Sequence, residues 1–269
     1  MTERRPLFTY RDGEVAVVVL NRPASHNAIG TPLLTRLKEA VAECSSDAGA
    51  IVLASEGTHF SVGADLVEVT FAWGDRAIIG SFLSLFHDVA DAIAVSSVPI
   101  IAAVQGLALA GGLELALACD LVVAADDAEF GDQHINVELI PGGGGSQRLP
   151  RAVGARRALA LQMTGDRIDA HQALSWGLVH SVHPKALLRK EAVVLAKTIA
   201  ARDRSSVRHI RELGRVAASL PLSEGLAIEL SAATDHISSS PLPDALSGYD
   251  NKTKDHHDRS ECEQRRDEV

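Results

Sequence analysis

Short, wholly apolar runs alternate with helix-like patterns along the first half of the chain, and this alternation constrains the fold more than any other feature. After the β-branched run at 15–20, Thr31-Pro32 begins a pattern with apolar residues at helical spacing. Strands that are apolar at every position are buried on both faces, which is typical of parallel sheets covered by helices. The sequence therefore predicts an α/β fold, with strands at 15–20, 51–54, 99–104 and 121–125 and helices at 31–41, 78–93 and 112–119.

The stretch from Val98 to Ala125 is apolar and long enough to raise the alternative of a membrane span. Gln105, Glu114 and Asp120 interrupt it, however, and charged groups are costly inside a bilayer. We interpret the stretch as strand, turn, helix and strand buried within protein, and we expect no membrane association.

The last third of the chain is helical in pattern, with one brief strand at 178–182. Helices are predicted at 156–164, 169–176, 184–202, 206–219 and 223–237. We divide the chain into a core at 1–200, a helical C-terminal region at 201–256 and a tail at 257–269. The tail is almost wholly polar and is expected to be disordered, because it has little apolar surface to bury.

Composition restricts the class of protein. The net charge is −9, whereas a nucleic-acid binder usually presents a basic patch, so we expect no nucleic-acid partner. Cys44, Cys119 and Cys262 lie far apart and form no C-x-x-C pair, which supports neither a zinc site nor a disulfide framework. With a polar N-terminus that no apolar run follows, this predicts a cytoplasmic protein without a metal, and the excess of Arg over Lys indicates a bacterium.

The segment from Val104 to Glu114 carries the clearest indication of chemistry. A strand ends near Val104, small residues follow, and a helix begins near Gly112. The first N–H groups of a helix have no internal partner and lie at its positive end, so they suit an oxyanion, and glycine lets a ligand approach the backbone. Glu114 adds an acid/base group to the first turn. The alternative is that the glycines only allow close helix packing.

The glycine run at 142–145 suggests a phosphate-binding loop, but the G-K-[ST] ending of such a loop is missing. No G-x-G-x-x-G opens a dinucleotide-binding unit either. We therefore interpret the run as a place where backbone packs tightly before the next helix.

Several separated motifs, in the right order, resemble the crotonase superfamily, of which enoyl-CoA hydratase is the best-known member. The resemblance extends from about residue 15 to about residue 199 and is loose in the C-terminal third. It rests on Asn21-Arg22-Pro23 with Asn27-Ala28, on 61–65, 101–106 and 118–120, on Ile140-Pro141-Gly142 through Pro150, and on 174–179.

The resemblance implies a spiral of ββα turns with a helical C-terminal trimerisation region, assembled as a trimer or a dimer of trimers. It implies that the backbone N–H groups of Ala64 and Gly111 form the oxyanion hole for a thioester oxygen. It also implies that coenzyme A lies along His26 to Ala28, Asp65 and Leu66. Coenzyme A is then part of an acyl-CoA substrate and not a covalent cofactor.

One position departs from the family pattern. Hydratases of the family place two glutamates around the reacting water; the first matches Glu114, but the second falls on His134, in the segment Phe-Gly-Asp-Gln-His. Histidine titrates near neutrality and acts as acid or base. If 134–138 are helical, Glu138 shares a face with His134 and orients its ring. The alternatives are that Glu138 is solvated or at a subunit contact and that His134 only lines the pocket.

These features predict an enzyme that stabilises a thioester enolate, with Glu114 and His134 as catalytic residues. We expect an enoyl-CoA hydratase of fatty-acid or related acyl-CoA catabolism. The loss of the second glutamate keeps open an isomerase, an acyl-CoA hydrolase, a decarboxylase or a catalytically silent acyl-CoA-binding paralogue.

Overall fold

Two β-sheets form the framework of the computed structural model, which describes residues 5–241 and residue 246. The six-stranded sheet has the order β1-β2-β3-β4-β6-β9, and the three-stranded sheet the order β5-β7-β8. The strands are β1 (Leu7–Asp12), β2 (Val15–Leu20), β3 (Ala50–Ser55), β4 (Ile100–Val104), β5 (Leu107–Leu109), β6 (Leu121–Ala125), β7 (Glu129–Gly131), β8 (Ile168–Asp169) and β9 (Ser181–His183).

The described residues contain ten α-helices. They are α1 (Thr31–Ser45), α2 (Leu66–Phe71), α3 (Arg76–Ala94), α4 (Gly111–Ala118), α5 (Gly145–Val153), α6 (Ala155–Thr164), α7 (Ala170–Ser175), α8 (Leu188–Ala200), α9 (Arg204–Ala217) and α10 (Leu222–Ser239). The predicted α/β class, the four predicted strands of the first half and the predicted helices are confirmed. The strand predicted at 178–182 is shifted to β9, because Leu178 and Val179 still bond back to the end of α7.

The large sheet is parallel from β2 to β9, as the apolar runs predict, and β1 adds an antiparallel edge. Alternate residues of β2 face two separate cores. Ala16 and Val18 belong to the larger core with α1, whereas Val17 and Val19 pack on the other face with Ala192 of α8. Sequence patterns missed β1 because only its first residue is buried.

The apolar stretch from 98 to 125 folds as β4, β5, α4 and β6, so the interpretation as strand, turn, helix and strand is confirmed. The turn after β4 depends on Gly106, which has a φ of +52°. A Cβ there would lie 2.2 Å from the carbonyl oxygen of Thr58, so only glycine fits. Helix α3 is apolar and long enough to cross a bilayer by length and composition alone, yet Phe86, Val89 and Ile93 on one of its faces are buried in the protein.

The structure consists of two compact units, of which the first ends at Ala218 and the second begins at Ser219. Helix α9 belongs to the first unit and α10 to the second, and no residue of α10 is buried. The division of the chain at residue 200 and the trimerisation role of the C-terminal helices stay predictions. The predicted tail at 257–269 lies outside the described residues.

Ala110 is the residue that leads into α4, and its backbone has φ 47° and ψ −119°. This conformation favours glycine, because an L side chain there is strained. The strain is stored in the turn that opens the helix carrying Glu114.

We expect Ala110→Gly to raise the free energy of unfolding by about 1 kcal/mol through relief of this strain. The matched control is Ala160→Gly, which makes the same change at an exposed position within α6 and should lower that free energy by about 1 kcal/mol. Urea unfolding of both variants measures the effect. Equal destabilisation by both changes would show that the turn holds no strain.

Candidate active site

Three chain segments lie side by side beneath the start of α4. Ile29 N–H donates to Gly63 O at 2.8 Å, and Asp65 N–H donates to Ile29 O at 2.9 Å. Ser61 forms an isolated bridge to Ala108 of β5, and Ala110 N–H donates to Gly131 O at the end of β7. These bonds bring distant parts of the sequence to one edge of the small sheet.

The two predicted oxyanion donors meet at this edge. A Cβ built on Gly111 would lie 3.5 Å from Ala64 N, and one built on Gly63 would lie 3.2 Å from Gly111 N. Neither Ala64 N–H nor Gly111 N–H has a hydrogen-bond acceptor among the described residues. The pair therefore leaves two adjacent donors free, one of them at the positive end of α4.

Glu114 stands in the first turn of α4 with only 2% of its surface exposed. Its Oε1 accepts hydrogen bonds from Gly143 N–H at 2.8 Å and Gly145 N–H at 2.7 Å. A Cβ on Gly143 would lie 2.6 Å from Glu114 Oε2, and one on Gly145 would lie 3.0 Å from Oε1. The glycine run thus packs its backbone tightly, as expected, and what it packs against is this carboxylate.

His134 faces the other oxygen of Glu114. Its Nε2 lies 3.8 Å from Glu114 Oε2, and its Nδ1 lies 2.7 Å from Asp132 Oδ1. The ring is 12% exposed and Asp132 1%. The structure therefore brings Glu114 and His134 together, and it adds Asp132, a carboxylate that sequence reasoning missed. The segment Phe-Gly-Asp-Gln-His contained this signal, because it places a carboxylate two residues before the histidine.

The expected pairing of His134 with Glu138 is wrong. Residues His134–Val137 form a single 3-10 turn, and Glu138 ends it in a left-handed conformation with φ 59°. Residues four apart share a face only in a continuous α-helix, and Glu138 is exposed here. Asp132 takes the place that was expected for Glu138.

Burial and charge shift both titratable groups. Burial raises the pKa of Glu114, although the N–H donors of Gly145 and Gly143 and the charge of His134 oppose the rise. For His134, burial acts to lower the pKa, but the hydrogen bond to Asp132 and the charges of Glu114 and Asp132 outweigh it, so the pKa is raised. Both pKa values are therefore raised, and neighbouring acid/base groups with shifted pKa values are typical of sites that transfer protons.

The residues expected along coenzyme A form one continuous edge next to Ala64. Arg22 donates to Ala28 O at 2.5 Å and to Asp65 Oδ2 at 3.0 Å, and so ties the two parts of this edge together. Asp65 also caps α2 through Val67 N–H, and Leu66 is exposed. His26 adopts φ 52° and packs its ring against that of His59. Sequence reasoning gave Arg22 no role of its own.

An apolar cavity of about 560 Å³ lies between α2 and α3, and neither Glu114 nor His134 lines it. Phe71 and Phe82 line it. Phe86, one turn after Phe82, is buried and packs against Gly143 and Gly111. Helix α3 therefore extends from the wall of the cavity to the backbone at Gly111 and Gly143.

Comparisons with known proteins identify the family. Residues 11–259 match the family described as enoyl-CoA hydratase/isomerase. A probable enoyl-CoA hydratase of Mycobacterium bovis is 38% identical over 225 residues, which cover 83% of this chain and 86% of that protein.

Solved structures give the same result. An enoyl-CoA hydratase from Polaromonas sp. JS666 has a TM-score of 0.86 at 30% identity and covers 91% of this chain and 97% of its own. One from Bacillus anthracis has a TM-score of 0.83 at 32% identity, with 93% and 96% covered. The resemblance inferred from the motifs is thus confirmed, and the chain belongs to the enoyl-CoA hydratase/isomerase family, the crotonase superfamily.

Proposed function

We propose that the protein is an enoyl-CoA hydratase that adds water to a 2-enoyl-CoA, with Glu114 and His134 as its acid/base pair. The observation that carries the proposal is the 3.8 Å approach of His134 Nε2 to Glu114 Oε2 beside two free backbone donors. At this separation a single water molecule can form hydrogen bonds with both His134 Nε2 and Glu114 Oε2. The names of the relatives support the same reaction.

The oxyanion hole supplies the electrostatic part of catalysis. Attack at the β-carbon moves negative charge onto the thioester oxygen, where Ala64 N–H and Gly111 N–H are available to it. One such donor is worth about 3 kcal/mol in a site that excludes water. Because both donors are backbone groups fixed by the small sheet, no reorganisation is needed during the reaction.

The acid/base pair balances the protons. Hydration needs one group to take a proton from water as its oxygen bonds to the β-carbon, and another to give a proton to the α-carbon. A pair that holds one proton supplies both, since the protonated member donates and the other accepts. Transfer of that proton from one member to the other then restores the starting state. The pKa of Glu114 and the pKa of His134 are both raised, which favours retention of a proton by the pair.

The surroundings support an acyl-CoA substrate. The edge formed by His26, Ala28, Asp65 and Leu66 runs beside Ala64 and suits the coenzyme A part, while the apolar cavity between α2 and α3 suits the acyl part. On this proposal coenzyme A enters only as substrate and no cofactor is needed.

We further propose a homo-oligomer, a trimer or a dimer of trimers, in the cytoplasm of a bacterium. The exposed apolar side chains of α10, such as Leu226, Leu230 and Ile237, support association through this helix. Bacterial relatives and the acidic net charge agree with a cytoplasmic enzyme that binds no nucleic acid. Light scattering of the purified protein tests the assembly.

A panel of 2-enoyl-CoA thioesters of increasing chain length, with products identified by mass, tests the reaction. We expect products that gain the mass of one water. A product of unchanged mass with a shifted double bond would identify an isomerase, and free coenzyme A a hydrolase; loss of carbon dioxide from a malonyl-type thioester would identify a decarboxylase. If no thioester is converted, the protein is a catalytically silent acyl-CoA-binding paralogue.

We expect Glu114→Gln to lower kcat by at least about a thousandfold, because the amide neither gives nor takes a proton. Binding should survive, since the amide oxygen still accepts from Gly143 and Gly145. Single-turnover kinetics and calorimetry with an enoyl-CoA measure the two effects. Glu129→Gln, at an exposed carboxylate of β7, is the matched control and should change neither. Retention of most of kcat by Glu114→Gln would remove Glu114 from the mechanism.

The same variant should be more stable than the wild type at alkaline pH. Because the folded protein raises the pKa of Glu114 above 4.5, ionising this group reduces the free energy of unfolding as pH rises. The variant has no such loss, so its advantage should grow as pH rises above about 4.5 and level off once the folded carboxyl group has ionised. Urea unfolding at several pH values measures this difference, and a constant difference would mean that burial does not penalise the carboxylate.

A further inference from the structure

We infer that Asp132 is a positioning residue for catalysis: it holds the His134 ring so that Nδ1 keeps its proton and Nε2 faces Glu114. This inference rests on the proposed function and adds to it. It concerns a residue that does not touch the reacting atoms and acts only through His134.

The geometry of the pair carries the inference. Asp132 Oδ1 lies 2.7 Å from His134 Nδ1, a short distance that is typical of a charge-assisted hydrogen bond. A carboxylate only accepts, so Nδ1 must donate and must carry a hydrogen. In the neutral ring the lone pair then belongs to Nε2, which is the nitrogen that faces Glu114 Oε2.

Burial makes this assignment costly to break. Asp132 is 1% exposed, and a buried carboxylate needs hydrogen-bond partners. His134 satisfies Oδ1, and Gln162 Nε2 of α6 approaches Oδ2 at 3.4 Å. If the His134 ring rotated away, the Asp132 carboxylate would keep only the long contact with Gln162 among these partners. Asp132 therefore fixes both the tautomer and the direction of the ring.

The local backbone holds Asp132 and His134 in place. Gln133, between them, has a left-handed φ of 58°, and its side chain donates to Gly165 O. Asn136 Nδ2 donates to the same carbonyl at 3.2 Å. A Cβ on Gly165 would lie 2.2 Å from Asn136 Oδ1, so this close approach requires glycine. The Asp132–His134 pair is thus held by a turn that hydrogen-bonds to Gly165, in the loop after α6.

Two carboxylates, Asp132 and Glu114, are the charged groups that face the ring, on opposite nitrogens. Both favour the imidazolium form, and only Asp132 is in direct hydrogen-bond contact. Loss of the Asp132 charge should therefore lower the pKa of His134 and allow the ring to adopt the wrong tautomer. An amide at this position can donate to Nδ1 and so displace the proton to Nε2.

Asp132→Asn tests the inference in the full-length enzyme. We expect kcat for an enoyl-CoA to fall by about 100-fold or more while KM changes by less than about threefold, because binding groups are untouched. The limb of the pH–rate profile that reports His134 should move to lower pH. Gln162→Leu, which removes a weak donor to Asp132 and keeps its charge, should lower kcat less and should not move the His134 limb to lower pH, and Glu129→Gln should leave both kcat and the profile as they are.

NMR titration of histidine-labelled protein without substrate provides a readout that does not depend on turnover. The signal of His134, one of 11 histidines, is assigned from its loss in His134→Gln. Its pKa should be lower in Asp132→Asn than in the wild type. A folded Asp132→Asn enzyme with kcat within about threefold of wild type, or with an unmoved His134 pKa, overturns the inference. If the wild type converts no enoyl-CoA, the proposed function fails, and the titration still decides whether Asp132 controls the ring.

Discussion

The buried carboxylate of Glu114 is the group on which the arrangement of the site depends. A charge out of contact with water needs hydrogen bonds, and here two backbone donors of the glycine run supply them to one oxygen. At Gly143 the backbone approaches so closely that a Cβ would lie 2.6 Å from Glu114 Oε2 and 2.5 Å from the Phe86 ring. Glycine at this position therefore allows the donor to reach the buried acid, whose second oxygen faces His134.

Holding this acid at the start of α4 also fixes the neighbouring donors. The turn before the helix is strained at Ala110, and the turn before His134 is left-handed at Gln133. Each such conformation costs roughly 1 kcal/mol or more and persists only where surrounding structure enforces it. The bonds between the small sheet and the segment at 61–65 hold the turn at Ala110, and the bonds of Gln133 and Asn136 to Gly165 O hold the turn before His134. These strained conformations cost stability, and in return the backbone donors and the carboxyl group of Glu114 are held in fixed positions.

Replacement of the second family glutamate by histidine changes the charge of the site. Two glutamates around a water carry like charges, whereas Glu114 and His134 attract each other when one proton has moved between them. A histidine ring has two nitrogens, so it must be held in one tautomer to act as an acid or a base. Asp132 meets it from a position two residues earlier in the chain. Asp132 and His134 are therefore best understood as one functional unit.

Sequence by itself determined the larger features of this protein. Uniformly apolar strands predicted a sheet buried on both faces, and the motif order predicted the family, because both depend on local pattern. It also placed Glu114 in the first turn of a helix opened by glycine. It did not find the edge strand β1, whose residues are mostly exposed, or the short strands of the small sheet, which are too brief for a periodic pattern.

Tertiary structure alone decided which groups touch. Helical spacing suggested Glu138 as the partner of His134, but the segment is a single 3-10 turn, and the partner is Asp132. The glycine run gave no sign of its acceptor, since Glu114 lies about 30 residues away in the chain. Local pattern reports which face of an element is buried; it does not report which side chain from another element fills the space opposite, and at this site that choice sets the chemistry.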